Sequence, residues 1–261
     1  MTMIKNSIKM LFIIGLVLST QYTLAFSQGV TWKKVDHVID GDTFVTKDGS
    51  HIKLLGINTP EIGRRGKKNQ PFANEARLKL TELIFHEDLR LEFGDLYKDR
   101  YGRLLAHAYK KDGIWVNAKL IEESLAHVYS FPDNRGHTRE LIKIENKTKL
   151  NKQGMWGHAR WKTHSTDDKI PDTAIGQFNI IEGKVHHITK VKNKTYLNFG
   201  ADWRTDFTVE IKKKYYDSFK QSGIDIAQDY AGKSLQIRGV FKSVNGVLIT
   251  ITHPEQLTIL P

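Results

Sequence analysis

The 261-residue chain contains no cysteine. Disulfides, zinc–thiolate sites and a lipidated cysteine anchor are therefore excluded, and an oxidising compartment is permitted without being required. Acidic residues are also in short supply. Lys plus Arg number 40 against 29 Asp plus Glu, a formal net charge of +11. Such a surplus attracts polyanions, nucleic acid first and anionic membrane second. No long apolar run is present either. Met10 to Leu18 (MLFIIGLVL) is too short to span a bilayer comfortably. With Lys5 and Lys9 ahead of it and Ala25-Phe26-Ser27 behind, it reads as an export signal cut after Ser27, the alternative being an uncleaved anchor. The mature protein is then expected in the periplasm or outside the cell, with no transmembrane anchor. What remains is ordinary for a folded protein, 39% hydrophobic and 10% aromatic, so a packed core is expected rather than disorder. The length suits one large or two small domains.

Residues 30 to 57 have a strand pattern. Trp32 to Val38 is β-rich, Thr43 to Thr46 continues it, Asp48-Gly49 signals a hairpin, and His51 to Ile57 returns. Phe72, Ala76, Leu80, Leu83 and Ile84 share one face at helical spacing, with Pro71 near the start. Strands follow at Leu89 to Phe93 and Arg103 to Tyr109, and Asp112-Gly113 turns the chain toward Ile114 to Val116. Asn117 is placed to cap a short helix through Leu125. A third helix is expected from about Thr138 to Lys152, ending at Gly154, with Trp156 covering the core. Residues 158 to 172 are polar and aperiodic, and 161–172 reads as a linker. Strand patterns return at Asn179 to Ile188, Thr195 to Phe199, Phe207 to Ile211, Ser234 to Phe241 and Val247 to Thr252, the last two joined by Asn245-Gly246. A helix near Lys213 to Gln221 interrupts them. The pattern suggests a small OB-type barrel, or else an open sheet packed on the first domain. No motif recurs between the two β-rich halves.

The chemistry-bearing residues fall in three places: Asp40-Gly41-Asp42-Thr43, Asn58-Thr59-Pro60-Glu61 and Tyr101-Gly102-Arg103. Asp-Gly by itself is a common turn. Asp42 gains weight because Asn58 and Glu61 follow a strand of the same expected sheet, so the ends of neighbouring strands can bring these oxygens together. Oxygen donors without cysteine or paired histidine favour Ca2+ or Mg2+ over zinc. A site with so few protein ligands completes its shell with water and substrate phosphate and binds weakly. Hydrolysis of a phosphodiester adds negative charge to the non-bridging oxygens, which fixed cations stabilise. Lys53 and Arg103 are placed for that, although either alone would be an ordinary surface cation. Glu61 is the candidate general base, or else a plain loop carboxylate after Pro60.

Residues 30 to about 160 resemble a staphylococcal-nuclease-type (thermonuclease) domain. The likeness rests on Val38 to Thr43, Leu54 to Glu61, Tyr101 to Ala106, Leu125 to Tyr129 and Gly154 to Gly157, in that order and spacing. It implies a mainly β, α+β fold, an OB barrel of five strands with three helices. It also implies Ca2+-dependent cleavage of DNA or RNA, single-stranded above all, leaving 3′-phosphate ends. By position, Asp42 matches the first calcium carboxylate, Asn58 stands where the second usually is, and Thr59 offers its carbonyl. Asp40 can contribute through water. Glu61 matches the general base, Lys53 and Arg103 the two phosphate-clamping arginines, and Tyr129 with Phe131 the nucleotide-stacking region.

Two positions depart from the family. Asn58 in place of aspartate removes a formal charge but keeps an oxygen ligand, so weaker metal binding is expected. Lys53 in place of arginine keeps the charge but loses the two-point fork, which predicts a slower enzyme. The C-terminal run Tyr196 to Phe207, with Lys212 to Lys214 and Arg238, is either a nucleic-acid stacking surface or an aromatic core with one Arg–Asp pair. His186-His187 is an ordinary strand pair, because neighbouring residues face opposite ways. The sequence therefore predicts a signal (1–27), a nuclease-like domain (28–160), a linker (161–172) and a β-rich, OB-like accessory domain (173–261). The predicted activity is an exported, Ca2+-dependent nuclease, the alternative being a binding module that keeps the fold and hydrolyses nothing.

Overall fold

The computed structural model describes residues 31–261, so the export-signal reading of residues 1–27 lies outside the described residues. β1 (Thr31–Asp40), β2 (Thr43–Thr46) and β3 (His51–Leu54) form a meander, followed by the two-residue β4 (Ile57–Asn58). Gly49, at φ 80°, closes the β2–β3 hairpin where the sequence placed a turn. α1 (Ala73–Ile84) buries Ala73, Ala76, Leu80, Leu83 and Ile84 at helical spacing. β5 (Asp88–Lys98), β6 (Leu104–Tyr109), α2 (Val116–Glu122), β7 (His127–Val128) and α3 (Thr138–Lys149) complete the first unit.

Strands β1-β2-β3-β6-β5 close into a barrel in which β3 and β6 run parallel, and β4 pairs separately with β7. Phe44, Ile52, Leu54, Leu89, Leu91 and Ala106 fill the barrel, and Leu80, Leu120 and Leu141 bring the three helices onto the same core. Asn117 does not cap α2. It lies buried inside the helix, donating to the Leu55 carbonyl at 2.8 Å and accepting from the Ala108 N–H at 3.0 Å. A buried amide satisfied on both sides ties helix to barrel, a stronger demand than capping. α3 stops at Lys149, short of Lys152, and Gly154, at φ 53°, opens a 3-10 turn (Gly154–Gly157) pressed against Ser124.

β8 (His164–Ser165) lies in the stretch read as a linker and pairs in parallel with β9 (Phe178–Lys184). Then come β10 (His187–Val191), β11 (Lys194–Asn198), β12 (Thr208–Lys212), α4 (Tyr216–Gln221), α5 (Ile226–Tyr230), β13 (Ser234–Val240), β14 (Lys242–Ser243), β15 (Val247–Ile251) and β16 (Leu257–Ile259). They form two sheets, β10-β11-β12-β15-β14 and β16-β13-β9-β8, around a core of Leu197, Val209, Ile211, Phe219, Leu235, Ile237 and Ile249.

The two sheets share bent strands, because β9 leads into β10 and β13 into β14 with almost no interruption. Followed around, the order β9/β10, β11, β12, β15, β14/β13 repeats that of the first barrel, down to one parallel pair, β12 with β15. Asn245 and Gly246, both at positive φ, make the tight β14–β15 turn.

Within the aromatic run, Phe199 and Phe207 are buried, whereas Trp203 is exposed beneath the Arg204 guanidinium. Arg238 is fully buried and takes no part in a surface. No helix among the described residues is long and apolar enough to cross a membrane.

Candidate active site

Three distant stretches meet at the barrel mouth because β2 pairs with β3 and β3 with β6. Asp42 sits in the β1–β2 turn and is buried. Its Oδ1 accepts from the Thr43 hydroxyl at 3.0 Å and its Oδ2 from the Thr59 N–H at 3.0 Å. The Lys53 ammonium, on β3, bonds to the same Oδ2. Lys53 Nζ also donates to Asn58 Oδ1 at 3.2 Å, and Asn58 Nδ2 donates to the Thr59 carbonyl at 3.2 Å. On the other side Arg103 Nη1 donates to Thr43 Oγ1 at 3.3 Å. A continuous polar path thus runs from Arg103 through Thr43, Asp42 and Lys53 to Asn58 and Thr59.

The turn before β6 fixes Arg103. Asp99 Oδ1 accepts the N–H groups of Tyr101 at 2.9 Å and Arg103 at 3.0 Å, and its Oδ2 accepts Arg103 Nε at 2.8 Å. Gly102, at φ 80°, supplies the left-handed residue that lets one carboxylate reach all three donors. Gly41 has a different reason to be glycine: a Cβ there would lie 2.5 Å from Thr59 Oγ1 and 2.7 Å from Ala76 Cβ.

Burial opposes ionisation of Asp42. Lys53 and the Thr59 N–H outweigh it and hold the carboxyl below its ordinary range. Asp40, with Arg64 3.8 Å away, is instead pushed up to about 6 by burial and by the charge of Asp42. Burial also raises the Tyr129 hydroxyl.

These groups open on a cleft of about 1320 Å³ lined by Asp42, Lys53, Asn58, Glu61, Arg103, Tyr129 and Phe131. Thr59 is buried behind it. Glu61 is exposed, with its backbone tied to Gln70 on both sides (3.0 and 2.9 Å) and its carboxylate left without a hydrogen-bond partner among the described residues. The rings of Tyr129 and Phe131 meet edge to face, 5.0 Å apart. Among the described residues no group of three or more His, Cys, Asp or Glu could hold a metal ion. The oxygens gathered here come from one carboxylate, one amide and one carbonyl, and Lys53 already places a positive charge on two of them. The donor set fits a hard cation.

A family model described as "Staphylococcal nuclease homologue" matches residues 51–158. The thermonuclease of Staphylococcus hyicus is 30% identical over 128 residues, covering 48% of this chain and 75% of that protein. The thermonuclease of Staphylococcus intermedius is 35% identical over 126 residues, covering 47% and 74% respectively. This chain belongs to the staphylococcal nuclease family. It is a nuclease-type hydrolase. The SPbeta prophage-derived endonuclease YokF of Bacillus subtilis is 37% identical over 128 residues but only 43% covered.

Within this staphylococcal nuclease scaffold, sequence reasoning missed the hydroxyl of Thr43 and the carboxylate of Asp99. Both stand in motifs already quoted or within four residues of Arg103. It also missed the basic rim of Arg64, Arg65, Lys67 and Lys68, which is legible as an RRGKK run and lines the cleft.

Proposed function

We propose that this chain is an exported, Ca2+-dependent nuclease that hydrolyses phosphodiester bonds of single-stranded DNA or RNA to 3′-phosphate ends. The observation that carries the reading is the unbroken path from Arg103 to Thr59 beside Glu61, in an open cleft with a basic rim. Arg103, aimed by Asp99, stabilises the charge that builds on the non-bridging oxygens. Glu61 takes a proton from a water that attacks phosphorus in line. The P–O5′ bond breaks, and the departing oxygen takes its proton from solvent. Asp42, Asn58 and the Thr59 carbonyl would hold Ca2+, which when bound adds positive charge beside the phosphate. Lys53 supplies the second cation of the site. Tyr129 and Phe131 offer rings for base stacking. Export rests on the Lys5, Lys9 and Met10 to Leu18 pattern.

A second reading, a binding module without catalysis, draws support from one feature: the ammonium of Lys53 lies on the oxygens meant for the metal. One assay separates the two. Protein is incubated with single-stranded DNA in calcium or in chelator, beside Glu61→Gln. Cutting that needs calcium and is lost in the variant upholds the nuclease. Binding without cutting in the native protein upholds the module.

A further inference from the structure

We infer that the C-terminal unit is a clamp that holds residues 127–135 in place and thereby positions the two aromatic side chains offered to substrate. What the cleft binds rests on the nuclease reading above.

Several contacts between the two units fall on one short region, beside the packing of Trp156 and Trp161 on Ile180 and the pair of Arg139 with Glu255. Arg238, on β13, pairs with Glu145 at 2.8 Å, and both side chains are buried. The other oxygen of Glu145 accepts the Val128 N–H at 2.7 Å. A guanidinium from the second barrel therefore fixes the carboxylate that fixes β7. Further along, Ser130 Oγ meets His253 Nε2 at 2.8 Å. Arg135 grips Glu255 with two bonds of 2.8 and 2.9 Å and reaches Ser222 at 2.8 Å. Phe178, at the start of β9, stacks on His127 with centroids 4.3 Å apart and meets the Tyr129 ring edge to face at 5.2 Å.

The residues of this segment divide by direction. His127, Ser130 and Arg135 turn to the C-terminal unit, whereas Phe131 and Asn134 line the cleft, and Tyr129 lines it with its ring edge to face with Phe178. The chain is extended or bridged here rather than helical, and after the two residues of β7 it runs as a loop. From the first unit it takes the β4–β7 pairing at residues 127–128, the Tyr129 N–H bond to the Gly56 carbonyl at 2.9 Å, the Phe131–Asn134 bridge, and two bonds of 3.0 Å between the Asn134 side chain and the Leu96 backbone. A segment of that kind takes its shape from whatever packs on it. Holding an aromatic platform rigid before substrate arrives removes an ordering cost from binding, so the effect belongs in substrate affinity rather than in the chemical step.

The test uses the full chain with Phe178→Ala, Phe178→Tyr and Glu255→Gln, none of them in the catalytic or binding machinery. A fluorescent single-stranded oligonucleotide is titrated in chelator, kinetics are run in calcium, and amide hydrogen exchange is followed across residues 127–135. Phe178→Ala and Glu255→Gln are each expected to weaken oligonucleotide binding about three- to tenfold. KM should rise by the same factor with kcat within about twofold of native, and exchange in the segment should quicken. Phe178→Tyr, which keeps the ring, should behave as native. Unchanged affinity and exchange in both disruptive variants would overturn the clamp. So would losses shared equally by kcat and affinity that follow the melting temperature and that Phe178→Tyr does not avoid. If the native protein binds the oligonucleotide but never cuts it, the nuclease reading fails while affinity and exchange still decide the clamp. If it binds none, the clamp has no substrate to serve and falls as well.

Discussion

Lys53 has two possible tasks, and its surroundings favour one of them at a time. Its ammonium sits on Asp42 Oδ2 and 3.2 Å from Asn58 Oδ1, two of the three oxygens suited to a cation. A divalent ion entering that cluster meets a positive charge already in residence and only one carboxylate in direct contact. Removing the ammonium while keeping the stem frees both oxygens and leaves Asp42 unpaired. Lys53→Met is therefore expected to tighten Ca2+ or Tb3+ binding by about tenfold or more, equivalent to roughly 1.4 kcal/mol. Calorimetry, or terbium luminescence in the absence of nucleic acid, reads this directly. Equal affinities in variant and native protein would mean that the lysine already stands aside. Asn58 and Lys53 were both visible in the sequence as departures from the family pattern, but their contact was not. Two substitutions read separately, one weakening the metal site and one the phosphate clamp, turn out to touch each other across β3 and β4.

At the scale of elements, the hydrophobic periodicity located α1 and the barrel strands, because apolar faces at period two or 3.6 are local signals, but it ended β5 at Phe93, five residues short of Lys98. Asn117 was misplaced for the opposite reason. Its partners, Leu55 and Ala108, are brought to it by tertiary structure, and no local pattern announces them. The stretch 161–172 hid a strand in the same way: β8 is two residues long and gains its partner only from β9. Gly41 shows how much an element can ask of one position. The β1–β2 turn passes so close to Thr59 and Ala76 that a single methyl group would lie 2.5 and 2.7 Å from their side chains. Either the turn or the β4 loop must give way, and both carry oxygens of the site. Gly41→Ala is expected to cost about 1–3 kcal/mol of stability through overpacking, and to lower activity further by parting Asp42 from the Thr59 N–H. Thermal melting together with turnover on single-stranded DNA checks it. A variant that melts like the native protein and cuts at the native rate would show that the turn has slack.

For the whole molecule the decisive titrations are those of buried histidines. Burial holds His107, His127 and His253 each at about 4, against an ordinary 6.5. Among the described residues neither His107 ring nitrogen has a hydrogen-bond partner of good geometry, and His253 lies between the hydroxyls of Ser130 and Thr252 at the contact of the two units. Above pH 6.5 these rings are neutral in folded and unfolded chains alike, and their burial carries no pH-linked cost. Between 6.5 and 4 the unfolded chain takes up protons that the folded protein refuses, so stability falls as the pH falls. The slope is about 1.4 kcal/mol per pH unit for each ring, or roughly 3 kcal/mol each across the window. Asp40 acts in the other direction. Its carboxyl, pushed up to about 6 from 3.8, is protonated earlier in the folded protein, so acidification returns stability there. One such group does not offset three histidines. Asp42, Glu145 and Glu255 are held below their ordinary values, and their contribution is lost only below about 4.5, adding to the decline at its acid end. Against a typical total of about 5–15 kcal/mol, the melting temperature should be level above pH 7, fall steadily from pH 6.5, and collapse near pH 4. Replacing His253 by glutamine should make the fall between pH 6.5 and 4.5 shallower without moving the plateau far. A melting temperature that stays level down to pH 4.5 would show that these rings are open to water in solution, and that the seam between the two barrels is looser than its contacts indicate.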